Sequence, residues 1–234
     1  MRLFAGLMIT IAGLAQTDTL KLPPVRTSIT LEGQPVMVAV WGSVSTAHLS
    51  ATVDLGDFQD HLTPILAAQL NRSEKCGERL AVKKATLAPS GLLSANVHFE
   101  RYACAKAFGK EIVKRVVGGD AVVEVVLTPT VADNHIGMNA EVRKIDADGS
   151  LGEALRSGSF GDSLRQKIAA NIESSVRKSA DLKTALPAEL DNVLALKKVR
   201  FADGGSGRLW LEIEGDVRLN AGQLQSFSRE VSHR

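Results

Sequence analysis

The stretch HLSATVDLGDFQDHLTPILAAQL, residues 48–70, changes its hydrophobic period halfway along. In its first part Leu49, Ala51, Val53 and Leu55 alternate with His48, Ser50, Thr52 and Asp54. A period of two puts every second side chain on one face, the pattern of a half-buried antiparallel strand. From Phe58 onward the apolar residues are Phe58, Leu62, Ile65, Leu66 and Leu70, which share one face of an α-helix. Asp57 is the expected N-cap, and the helix is expected to end near Asn71. Pro64 either kinks this helix or sits in the first turn of a shorter one. A strand that runs directly into an amphipathic helix, within a chain that otherwise alternates, points to an α+β protein.

Upstream, Ile29 and Leu31 alternate, Gly33-Gln34-Pro35 breaks the run, and Val36, Val38 and Val40 face away from Trp41. Downstream, Leu80 and Val82 begin a strand, Pro89-Ser90-Gly91 is a turn, and Ala95, Val97 and Phe99 alternate. Ile112 to Val117 is an apolar run that Gly118-Gly119-Asp120 is expected to close. The Val-rich segment Ala121 to Leu127 reads as a strand buried on more than one side. Ile136, Met138, Ala140 and Val142 form another alternating strand, ended by Asp146-Ala147-Asp148-Gly149.

A second amphipathic helix is expected over Phe160, Leu164, Ile168, Ile172 and Val176, spaced by four throughout. That spacing drifts about 40° per step around a 3.6-residue helix, so the stripe winds and suits a sheet that curves around it. The C-terminal part reads as a hairpin. Its first strand carries Leu194, Leu196, Val199 and Phe201, with a bulge at Lys197-Lys198 where the phase slips. Asp203 to Gly207 is the turn, and the return strand carries Leu209, Leu211, Ile213, Val217 and Leu219. Gly215 marks a bend in it, and Asn220 is expected to cap a short helix through Phe227.

The chain has 234 residues, 44% hydrophobic and 23% charged, which is ordinary globular composition with enough length for a sizeable core. A formal net charge of +2 gives no ground for a nucleic-acid partner. Residues 1–15 have the form of a signal peptide: Arg2, an apolar run from Leu3 to Leu14, and small residues Gly13 and Ala15 before Gln16. The expected mature chain, 16–234, is a single α+β domain with its core at 26–228, located in the periplasm or secreted after cleavage near Ala15. Two cysteines, Cys76 and Cys104, in an exported chain read as one disulfide, two buried free thiols being the alternative.

Catalytic signatures are missing. His48, His61, His98, His135 and His233 include no pair at metal-ligand spacing. His48 and His98 fall on the polar phase of their strands and are expected to face solvent. Gly158 to Gly161 lacks the G-x-S-x-G elbow, and Gly204 to Gly207 lacks the Lys-Ser/Thr ending of a phosphate loop. Asp133, Asp146 and Asp148 do not complete a calcium loop. No enzyme, cofactor or metal site is expected.

The order of elements runs strands, a helix, Cys76 soon after it, a long antiparallel sheet with Cys104, the helix at 160–176 and a terminal hairpin. Over residues 26–228 this order resembles the tubular lipid-binding (TULIP) superfamily, with its domains like those of bactericidal/permeability-increasing protein. The resemblance implies a long curved antiparallel sheet with two amphipathic helices packed on its concave face. It implies that the disulfide ties a helix to the sheet. It also implies that a lipid or other apolar molecule is held by Phe58, Leu62, Leu66, Phe160, Leu164, Ile168 and Ile172. The short first helix with Pro64 departs from that pattern. Transient contact with the membrane or with envelope proteins is expected of such a carrier. The alternative is a periplasmic scaffold or envelope-assembly domain with a filled interior.

Overall fold

The first three strands, β1 (Leu20–Leu31), β2 (Gln34–Val44) and β3 (His48–Asp54), form an antiparallel meander. The structure is a computed structural model and describes residues 19–107, 110–156, 161–162, 165–166, 169–170, 193–220 and 222–224. Helix α1 (Gly56–Leu70) follows β3 after one residue. A second meander then runs through β4 (Arg72–Ser73), β5 (Gly77–Leu87), β6 (Leu92–Ala107), β7 (Lys110–Ala132) and β8 (His135–Ala147). A short helix, α2 (Gly149–Arg156), comes next, and β9 (Leu194–Asp203) and β10 (Leu209–Val217) complete the described elements as a hairpin.

The α+β class and the antiparallel pairing agree with the sequence. The expected single sheet, however, is two five-stranded sheets, ordered β1-β2-β3-β10-β9 and β4-β5-β6-β7-β8. The cause lies at β3. Its free edge is filled by β10, with Val53 opposite Leu211 and Ala51 opposite Ile213, so the strands after α1 build a ladder of their own. Five of the eight strand pairings contain a register shift. Each such bulge bends its strand and increases the local twist.

The inner faces follow the alternation. Val36, Val38, Ala51, Val53, Leu211 and Ile213 of the first sheet are buried in one cluster. Val82, Leu87, Leu93, Val97, Phe99, Val123 and Val125 of the second form another. The hairpin turns fit their sequences. Glu32-Gly33 and Asp133-Asn134 both take positive φ, as two-residue turns between twisted strands require. Asn134 then links the sheets: its Nδ2 donates to the Leu194 carbonyl at 2.9 Å, and its Oδ1 accepts the Leu196 N–H at 2.6 Å. The slip at Lys197 is real, since Glu214 pairs with Lys198 and Gly215 with Leu196.

Three local readings need correction. Gly118-Gly119-Asp120 does not end a strand, because β7 runs straight through it. The glycines make room instead: a Cβ on Gly119 would lie 3.3 Å from the Asp148 carbonyl oxygen and 3.4 Å from Leu151 Cβ. The space belongs to α2, whose Leu151 is buried against β7 and which the sequence reading missed. Ala121 to Leu127 is buried on one face only, since Val122 is exposed between buried Ala121 and Val123. Asp57 is not the N-cap. Leu55 holds that position, Asp54 Oδ1 accepts the Gly56 N–H at 2.9 Å, and Asp57 Oδ2 accepts the Met37 N–H at 2.6 Å.

Asn220 does cap the last described turn, trading side-chain and backbone hydrogen bonds with Gln223 at 2.8 and 2.9 Å. The expected signal peptide at 1–15 and most of the helical stripe at 160–176 lie outside the described residues.

Candidate functional site

Helix α1 lies where the two apolar clusters meet. Leu62 and Leu66, 3% and 9% exposed, belong to the cluster of the second sheet, and Ile65 belongs to that of the first. Leu55 and Phe58 pack against both. The helical period explains this: residues 58, 62 and 66 share one side, and Ile65 turns toward the neighbouring sheet. Three of the seven expected ligand-lining residues, Phe58, Leu62 and Leu66, are therefore brought together. Phe160, Leu164, Ile168 and Ile172 lie outside the described residues.

Two polar residues on α1 hold it in place, and the sequence reading passed over both. Gln59 Nε2 donates to the Leu87 carbonyl of β5 at 2.7 Å and to the Gly207 carbonyl at 3.1 Å, while its Oε1 accepts the Leu209 N–H of β10 at 2.7 Å. Thr63 Oγ1 accepts the Ala85 N–H at 2.9 Å and donates to the Ala85 carbonyl at 3.3 Å. One amide side chain thus ties the helix to both sheets. Backbone groups that a strand edge would leave unpaired are satisfied by it. Polar residues beside an apolar stripe carry no sequence signal that separates this role from solvation.

Among the described residues no polar or charged residue is buried. The interior around α1 is made of Val, Leu, Ala, Ile and Phe from both sheets. What it offers is apolar contact.

The titratable groups gather on the opposite, outward face of the second sheet. His98 lies on this outward face, half-buried, and its Nδ1 lies 2.6 Å from Asp120 Oδ1, which also accepts from Lys83 Nζ at 2.7 Å. Glu100 accepts from Arg115 at 3.1 Å and from the Tyr102 hydroxyl at 3.1 Å. The Lys83 and then the His98 hydrogen bonds hold the Asp120 carboxyl below its ordinary range. Arg115 chiefly does the same for Glu100. Cross-strand pairs of this kind stabilise a solvated face.

Cys76 and Cys104 form a disulfide with Cα atoms 5.7 Å apart. It joins the β4–β5 connection to β6 and does not reach α1, so it ties strand to strand and not helix to sheet. Glu111 approaches both sulfurs. Disulfide sulfurs lack the thiolate charge that would make them metal ligands.

No family model matches the chain, and no curated protein matches it. Among solved structures, the crystal structure of lipopolysaccharide binding protein aligns at 14% identity with a TM-score of 0.23. The alignment covers 88% of this chain and 46% of that one, so the chain spans less than half of that structure's length.

Proposed function

We propose that the protein is an exported carrier that holds a lipid or another apolar molecule non-covalently, against α1 and the inner faces of the two sheets. The observation that carries the reading is the interior itself, aliphatic on both sides of α1 with no buried polar or charged side chain among the described residues. The reading places Phe58, Leu62 and Leu66 on one wall, and extends to Phe160, Leu164, Ile168 and Ile172 on a second helix at the concave side of the sheets. The disulfide supports an oxidising compartment such as the periplasm. Non-covalent binding, with no reaction, is the proposed activity.

Binding driven by apolar burial depends on ligand length. Each added methylene contributes about 0.8 kcal/mol, or roughly fourfold in affinity, until the cavity is full. The test uses the full chain and a series of saturated acyl probes, one of them photoactivatable. The expected outcome is affinity that climbs with chain length, together with crosslinks on the α1 peptide bearing Phe58, Leu62 and Leu66. A protein that leaves cells free of lipid, and that binds none of the probes, would sink the reading. The near-complete burial of Leu62 and Leu66 favours a second reading, a scaffold with a filled interior, and the same result would favour it.

A further inference from the structure

Strands β6 and β7 extend past the body of the protein as an arm, residues 101–106 pairing with 111–117. In the body their inner positions are buried, Val97 and Phe99 on β6 and Ala121 and Val123 on β7. Along the arm that alternation stops. Arg101, Ala103, Cys104, Ala105 and Lys106 are exposed on β6, and Glu111, Ile112, Lys114, Arg115 and Val116 are exposed on β7. Ile112 and Val116, 54% and 56% exposed, are the most exposed large hydrophobic residues among those described.

The arm's two faces differ. Residues opposite one another in an antiparallel pair share a face. Tyr102, Cys104 and Lys106 stand opposite Arg115, Val113 and Glu111. That face is engaged by the chain itself: the disulfide lies on it, Arg79 stacks over Tyr102 at 4.1 Å, Arg115 pairs with Glu100, and Glu111 pairs with Lys75. The other face brings Ala103 opposite Lys114 and Ala105 opposite Ile112. Val116 is the extra residue at the register shift beside it. This face is small and apolar around Ile112, with a lysine among the apolar groups.

The charge says what would cover it. Residues 101–117 carry five basic side chains, Arg101, Lys106, Lys110, Lys114 and Arg115, and one acidic side chain, Glu111. Glu111 is paired with Lys75 and Arg115 with Glu100, both partners lying outside the arm, so the excess positive charge remains. A rigid ribbon with exposed aliphatic groups and excess positive charge complements a surface that is negative outside and apolar just beneath. We propose that the arm docks the protein on an anionic phospholipid bilayer, with Ile112 and Val116 entering the interface and Lys114 beside the headgroups. This goes beyond carriage in the interior and does not depend on it. The disulfide stiffens the arm by tying β6 to the β4–β5 connection, since a two-stranded ribbon is marginal by itself.

The test is sedimentation of the full chain with vesicles of phosphatidylcholine alone and of phosphatidylcholine with phosphatidylglycerol, at low and high salt. The expected result is binding to the anionic vesicles only, weakened by salt. The variant Lys114→Gln should bind about fivefold more weakly, the loss of one charge near a negative surface. Ile112→Ser/Val116→Ser should also bind more weakly while keeping its salt dependence. All three positions are exposed, and circular dichroism of each variant checks the fold. Equal binding by the variants, equal binding to both vesicle types, no binding, or capture by an acidic polypeptide in place of the vesicles would each overturn the proposal. Acyl-probe uptake should be unchanged in these variants. Vesicle binding without probe uptake would therefore remove the carrier reading and leave this one standing.

Discussion

The body and the arm share two strands and differ in what holds them. In the body, β6 and β7 bury one face under α1 and α2 and expose the other. In the arm, the same strands leave one face exposed, and the other is held by ion pairs and by a disulfide from the β4–β5 connection to β6. Strand pairing alone therefore does not account for stability along a ribbon. Burial supports one half and a covalent bond supports the other.

Truncating the body should have the largest effect. Leu62→Ala removes a buried side chain between α1 and the second sheet and should cost about 2–5 kcal/mol in denaturant unfolding. Ile112→Ala in the arm should stay within about 0.5 kcal/mol. Equal costs would erase the distinction between the two regions.

Opening the disulfide comes next. The closed loop spans 28 residues, and its loss should cost roughly 3 kcal/mol by chain entropy. Hydrogen exchange after reduction should quicken over residues 101–117 and stay slow in α1 and β3. Equal acceleration everywhere would mean that the arm is not a separate unit.

Acid should have the smallest effect, and it acts at the root of the arm. Asp120 and Glu100 have carboxyls held below their ordinary values by Lys83, His98 and Arg115. A depressed carboxylate contributes stability that is present above the unfolded value of about 4 and is lost as pH falls through the lower folded value. Stability should thus decline below about pH 4. Asp120→Asn with Glu100→Gln should flatten that decline, and added salt should shrink it because both pairs are solvent-facing. A decline unchanged by the double variant would place the acid sensitivity elsewhere.

Much of the body was legible in the sequence, and the arm was not. Leu49 to Leu55 and Phe58 to Leu70 carry their periods openly, and the structure has β3 and α1 there. The bulge at Lys197 and the turn at 203–207 were readable because a phase slip and a glycine cluster are local signals. The Gly118-Gly119 pair misled for the same reason. Paired glycines usually mark a turn, yet here Gly119 admits Leu151 from a helix thirty residues on. Of the candidate site, the apolar stripe of α1 was visible, but the hydrogen bonds of Gln59 and Thr63 were not. Their partners are backbone groups of strands far along the chain.

By itself the sequence determined which residues face inward on β3 and α1, where the β1–β2, β5–β6 and β9–β10 hairpins turn, and that two cysteines are available to pair. Alternation names a side, never a neighbour. The tertiary structure alone decided that β10 returns from the far end of the chain to fill the edge of β3, and that the strands after α1 form a second sheet. It also decided that β6 and β7 outrun their cover. The physical reason is that an edge strand accepts whichever partner lowers the free energy of the whole chain, and that choice depends on packing between segments that no local pattern connects.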